Sequence, residues 1–207
     1  MYWNVQEGIR KRKMKIIGFI ASPRKEGNTA WVVNKILEGA KEQGAETRAW
    51  YFSDLDIKPC RGCLCCHKGD DRGCIINDDM QELYGAIEHA DALVLGSPVY
   101  MGQMSAQAKI FIDRLFAHVS PRFSPQYKEK VVKKKLLLVF TQGNPDPDMF
   151  RVYFDYTKKM FQLLEFDVKE AVVVVGMRSE PAREKKELHT VMKDVGSSFV
   201  LERFSKE

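Results

Sequence analysis

Cysteine is missing from most of this 207-residue chain: none precedes Cys60 and none follows Cys74. Thiols confined to one window cannot staple a whole fold, and a disulfide framework is not expected. No run approaches the ~20 apolar residues of a membrane-spanning helix. The N-terminal MYWNVQEGIRKRKMK lacks the apolar core and small-residue cleavage site of a secretory signal. A cytoplasmic location with no membrane partner is expected. Strong charge is absent too. Lys and Arg number 33 against 28 Asp and Glu, a net +5. That excess falls in short clusters at 10–15, 133–135 and 183–186, without the basic stripe and reading motif of a nucleic-acid binder. No nucleic-acid partner is expected, although the mild positive balance suits an anionic cofactor or an acidic partner protein. There is no internal repeat and no low-complexity linker.

What is present alternates between apolar runs and amphipathic segments. Residues 15–21 (KIIGFIA), 91–97 (DALVLGS), 135–141 (KLLLVFT) and 171–176 (AVVVVG) read as strands buried on both faces. Residues 46–52 (ETRAWYF) alternate like a strand. Helical spacing marks 28–43, 78–90, 105–119, 148–164 and 181–204, with Asp78 or Asp79 placed to cap the second. The most loop-like interior segment is 121–125. Five strands alternating with helices predict one α/β domain over 1–207, a doubly wound parallel sheet. Ligands of such sheets bind beyond the carboxyl ends of the strands, where strand order reverses.

Two loops at such ends stand out. The first strand runs into Ser22-Pro23-Arg24-Lys25-Glu26-Gly27-Asn28-Thr29 and a helix begins at once. Free N–H groups at a helix start favour a phosphate. Ser22, Asn28 and Thr29 can add hydrogen bonds and Arg24 can add charge, although Asn and Thr are also ordinary helix caps. The loop is neither G-x-G-x-x-G nor G-x-x-x-x-G-K-[ST], which disfavours a dinucleotide fold and a P-loop NTPase. The third strand ends in Ser97-Pro98-Val99-Tyr100-Met101-Gly102, a stretch able to lie along a flat aromatic ring. In isolation, Tyr100 and Met101 would more often be core or interface residues.

Together "SPRKEGNT" and "SPVYMGQMSAQAKIFIDR" resemble the flavodoxin-like NAD(P)H-dependent FMN reductase family, from about residue 14 to at least 176. The resemblance implies a five-stranded sheet in the order 2-1-3-4-5 and FMN as cofactor. It implies that Ser22, Arg24, Gly27, Asn28 and Thr29 hold the FMN phosphate. Pro98, Val99, Tyr100, Met101 and Gly102 would line the isoalloxazine ring. Thr141 to Asn144, with Thr141 and Gly143 foremost, would close its other side. A homodimer or homotetramer is expected on the same ground, with aromatic residues of 150–161 as one candidate surface.

The cysteines lie in a loop, residues 58–77, after the second strand. Their spacing is Cys60-x2-Cys63-x2-Cys66-x7-Cys74, with Cys65 as an extra thiol. A structural zinc site more often pairs two Cys-x-x-Cys halves across a longer separation. Three cysteines at three-residue steps, with a fourth nearby, suit a compact cubane cluster. Gly62, Gly69 and Gly73 allow tight turns, and Lys58, Arg61, Lys68 and Arg72 can offset negative charge, although Asp70 and Asp71 oppose them. The pattern resembles the iron–sulfur flavoprotein branch of the same family. Matched by position, Cys60, Cys63, Cys66 and Cys74 would ligate a [4Fe–4S] cluster, with Cys65 able to replace Cys66. The function so implied is an FMN-dependent oxidoreductase. A ferredoxin-type donor would supply electrons, which would reach FMN and then an acceptor through the cluster. Two alternatives stand beside it: a NAD(P)H-dependent FMN or quinone reductase with structural cysteines, and a non-catalytic zinc-stapled module. No general acid or base is expected. His67 reads as a loop residue beside the thiols, while His89, His118 and His189 read as helix residues.

Overall fold

The computed structural model describes residues 12–67, 73–119, 133–168 and 171–201. Lys68, Gly69, Asp70, Asp71 and Arg72, the 121–125 segment and the chain beyond 201 lie outside them. The strands are β1 (Lys15–Ile20), β2 (Glu46–Tyr51), β3 (Ala92–Tyr100), β4 (Gln103–Met104), β5 (Lys135–Thr141), β6 (Asp167–Val168) and β7 (Val172–Val174). The helices are α1 (Asn28–Glu42), α2 (Met80–His89), α3 (Ala106–Arg114), α4 (Phe116–Val119), α5 (Arg151–Leu163) and α6 (Lys186–Leu201).

The sheet runs β2-β1-β3-β5-β6. All these neighbours are parallel. The expected order is thus present with a change at its far edge. There two short strands share the fifth position, β6 beside the start of β5 and β7 beside its end. β6 is too short to show a period in the sequence. The sheet separates two apolar layers, because side chains alternate across it. Phe19, Leu93, Leu95, Leu138 and Phe140 pack towards α2, α3 and α5. Ile16, Ile20, Val94, Leu137 and Val139 pack towards α1 and α6.

Helix α1 is held from behind by α6. A Cβ on Gly196 would lie 1.9 Å from the Ile36 carbonyl oxygen, and one on Gly39 would lie 2.0 Å from that of Lys193. The two backbones therefore approach as only glycines permit. Gly44, at φ +86°, ends α1 with its N–H bonded to the Lys41 carbonyl at 2.9 Å.

Three boundaries differ from the sequence pattern, each for a tertiary reason. β3 continues through Pro98 to Tyr100, where the sequence suggested a loop. Proline disfavours the helical conformation at the residue before it, and β1 pairs no further than Gly96, so a residue without an N–H is tolerated there. The helix expected over 105–119 breaks at Leu115 into α3 and α4, where the Tyr84 hydroxyl donates to the Arg114 carbonyl at 2.7 Å. Helix α6 starts only at Lys186, because the preceding turn is tied to α1 by a 2.9 Å bond from the Ala182 N–H to Asn28 Oδ1. Of the 150–161 aromatics, Phe154 and Phe161 are core, and Tyr156 is exposed.

Candidate functional site

The cysteine loop has a stem before it has a site. Asp78 Oδ2 accepts from the Lys58 N–H at 2.8 Å, joining the two ends of the loop. Its Oδ1 accepts from the Met80 N–H at 3.1 Å, so Asp78 rather than Asp79 caps α2. Arg114, from α3, clamps both carboxylate oxygens at 2.6 and 3.1 Å and donates to the Lys58 carbonyl at 2.8 Å. Both side chains of this pair are fully buried. Burial pushes the Asp78 carboxyl up, but hydrogen bonds from Arg114 and the Lys58 N–H outweigh it and hold the group below its ordinary value.

Above the stem the chain curls. Gly62, Leu64 and Gly73 have φ of 63°, 55° and 61°, the left-handed region that reverses a chain within one residue. Cys65 to His67 form a single 3₁₀ turn, and the His67 ring lies 4.2 Å from that of Phe116. Cys60, Cys63, Cys66 and Cys74 all line one cavity closed by Arg114, Phe116 and Ala117, and Cys65 does not line it. Burial, with the nearby Cys74, Cys60 and Cys63 adding to it, pushes the Cys66 thiol up. Hydrogen bonds from Cys65 hold the Cys63 thiol down. The Gly62 N–H points to Cys60 Sγ at 3.4 Å, the N–H···S contact that stabilises a thiolate. Among the described residues no three His, Cys, Asp or Glu side chains converge on a single metal-ion position.

At the end of β1, Gly27 occupies the N-cap of α1 with extended backbone, and among the described residues no side chain caps the helix. The first N–H groups of α1 therefore face the loop without a side-chain acceptor. Arg24 is exposed beside them, while buried Ser22 accepts from the Arg24 N–H at 3.2 Å and shapes the turn. Asn28 and Thr29 face inward and act as ties. The Asn28 amide spans to the Met177 carbonyl at 3.5 Å and to the Ala182 N–H. The Thr29 hydroxyl meets the Thr141 hydroxyl at 2.6 Å.

β3 ends in a hairpin. Val99 pairs with Met104 and Tyr100 with Gln103, leaving Met101 and Gly102 as a two-residue turn at φ 49° and 77°. Both positive angles make this a type I′ turn, in which the first place usually goes to Asn, Asp or Gly. Methionine there costs about 1–2 kcal/mol of backbone strain, and Met101 is 100% exposed. A residue so strained and so exposed is not a core position. The hairpin base is locked to β1, since Ser105 donates to the Ala21 carbonyl at 2.5 Å and its N–H reaches Ser97 Oγ at 2.9 Å.

Gly143, beside buried Thr141 and Gln142, lies against Arg178, whose Cβ would be 3.4 Å from a Cβ on that glycine. The Met177 N–H donates to the Gln142 carbonyl at 3.0 Å. Three loops, after β1, β3 and β5, thus meet on one rim.

A model of the NADPH-dependent FMN reductase family matches residues 14–200. The chain belongs to that family. Within it, a 101-residue stretch is 43% identical to an iron–sulfur flavoprotein of Methanocaldococcus jannaschii, covering 49% of this chain and 51% of that protein. A second iron–sulfur flavoprotein, from Methanosarcina thermophila, is 42% identical over 101 residues, 49% of this chain and 52% of its own. The chain thus matches about half the length of these curated relatives. Among solved structures, an NAD(P)H:quinone oxidoreductase from Methanothermobacter marburgensis superposes with a TM-score of 0.71 at 14% identity, covering 91% of this chain and 96% of that one. An NADH:FMN oxidoreductase gives 0.64 at 18% identity, with 92% and 90% covered. At such identities the likeness is one of fold.

At the rim the sequence pattern passed over the turn after β7 that carries Arg178. A glycine, Gly176 at φ +74°, directly after an apolar run and before basic residues was its visible signal. Among the described residues no helix is long and apolar enough to cross a membrane.

Proposed function

We propose that this chain is an iron–sulfur flavoprotein, an FMN-dependent oxidoreductase that carries a [4Fe–4S] cluster on Cys60, Cys63, Cys66 and Cys74. When bound, the cluster supplies one-electron transfer and FMN links one-electron to two-electron chemistry. The single observation that carries this reading is the cavity shared by four of the five thiols, with Cys65 left out. Four sulfurs around a common space, an N–H on Cys60 and left-handed turns at Gly62 and Gly73 suit a multi-iron group wider than one ion.

The chain's own residues bind and orient. Arg24 and the uncapped N–H groups of α1, with Gly27 and Ser22 shaping the approach, take the FMN phosphate. Asn28 and Thr29 fix the neighbouring loops in place. Pro98, Val99, Tyr100, Met101 and Gly102 present a rigid strip to the ring and exclude water from one face. Thr141 and Gly143 border the other. A ferredoxin-type donor, a cytoplasmic setting and a homodimer or homotetramer complete the reading, with Val152 and Tyr156, 86% and 59% exposed on α5, as interface candidates.

One rival has its own support. The family model that matches residues 14–200 is that of NADPH-dependent FMN reductases, which favours a NAD(P)H-dependent FMN or quinone reductase with structural cysteines. Anaerobic purification separates the two. The proposal expects FMN together with about four irons and matching labile sulfide per chain, and a broad brown absorbance that dithionite lowers. Yellow, iron-free protein that stays iron-free after reconstitution and bleaches with NADPH would establish the rival. Colourless protein holding zinc would overturn both.

A further inference from the structure

Arg114 is the largest fully buried side chain among the described residues. An arginine so placed is costly unless every donor is satisfied. Two of its nitrogens are, by Asp78 and the Lys58 carbonyl. Its Nε is buried and has no partner among the described residues. The pair is also lopsided with respect to the thiols. Arg114 lines the cavity that Cys60, Cys63, Cys66 and Cys74 share, and Asp78 does not. Arg114 therefore borders the cavity that the thiols share, while the carboxylate paired with it does not line that cavity. Asp113 lines the cavity as well, but its carboxylate is held by Lys109 at 2.6 Å on the surface. Cys74 is close enough for its charge to act on both Arg114 and Tyr84.

We propose that Arg114 is a positioning residue that sets the reduction potential of the thiol-bound centre, presenting the positive end of a buried ion pair and a spare Nε–H to the cysteine cavity. This rests on the cluster reading above. A thiolate-bound cluster gains negative charge when reduced. A fixed cation and an extra N–H donor beside the sulfurs stabilise that charge and raise the potential. The same clamp joins Lys58 to Asp78, so the sulfurs and the cation are held by one device.

The test is a redox titration of the wild-type holoprotein and two variants, followed by electron paramagnetic resonance, with iron and FMN assayed in each. Arg114→Lys keeps the charge and the Asp78 pairing but has no Nε–H. Asp78→Asn/Arg114→Met removes both charges together, so no unpaired ion is left inside. We expect both variants to bind iron. At the poise where wild type is half reduced, the double variant should show at least a tenfold lower ratio of reduced to oxidised cluster, which is about 59 mV for one electron. Arg114→Lys should fall between the two. Wild-type potentials in both variants would overturn the assignment while leaving the cluster itself intact. Loss of iron from both variants, with folding retained by circular dichroism, would reduce the pair to a loop staple and also overturn it. Wild-type protein that takes up no iron would instead overturn the cluster reading, and this proposal with it.

Discussion

The cysteine loop and the loops after β1, β3 and β5 solve opposite problems. In the cysteine loop four thiols line one cavity, and structure is supplied from below by one buried pair, Asp78 and Arg114. At the rim several of the polar side chains that look like ligands are themselves the structure. Asn28 ties α1 to the turn after β7, Thr29 ties it to β5, and Ser22 folds the turn it sits in. What remains for a phosphate is backbone N–H, one helix start and Arg24. A soft multi-sulfur group needs donor atoms from side chains. A phosphate can be held by N–H groups that every residue owns.

That contrast can be broken by substitution. The largest effect belongs to the cysteines: Cys63→Ala should abolish iron binding and leave FMN in place, whereas Cys65→Ala should retain full iron. Equal iron loss in the two variants, measured by metal analysis, would remove the distinction between lining and non-lining thiols.

Next comes the support behind the rim. Gly196→Val puts atoms where the Ile36 carbonyl lies, and it should lower stability by about 1–3 kcal/mol or more. Because α1 carries the rim and not the cysteine loop, FMN affinity should fall with it and iron content should not. Thermal unfolding and flavin titration read both.

Asn28→Ala leaves the Ala182 N–H without its acceptor and should cost about 1–3 kcal/mol, with weaker FMN binding and unchanged iron. Arg24→Ala should leave stability alone and weaken FMN by about tenfold, an effect that shrinks as salt screens the exposed charge. A salt-independent loss would move Arg24 out of the phosphate site.

The smallest effect is a control far from both regions. Hydrogen bonds from Lys193 and then Lys35 lower the Glu38 pKa to about 2. A carboxyl lowered on folding adds stability above its unfolded value, near 4.5, and loses it as pH falls towards 2. The pair is solvent-exposed, so its contribution is screened and small. Glu38→Gln should flatten the melting temperature slightly over that range and change neither cofactor.

Much of this arrangement could be read without coordinates because its causes are local. A parallel strand buried on both faces is a continuous apolar run, so β1, β3 and β5 were legible. The loops that follow them carry their residues contiguously, and the cysteine spacing is a property of one short segment. Other features were not legible, because their partners are distant in the chain. Asp78 and Arg114 are 36 residues apart, and Asn28 and Ala182 are 154 apart. No local pattern shows that an asparagine at a helix start faces another loop, or that the adjacent thiols Cys65 and Cys66 differ in which one meets the cavity.

The sequence by itself determined the layered sheet, the loops that form its rim and the crowding of thiols, since hydrophobic period and loop composition act over a few residues. Only the tertiary structure decided which thiols line the cavity and which polar side chains are taken up in ties, because that depends on which distant segment packs against each one.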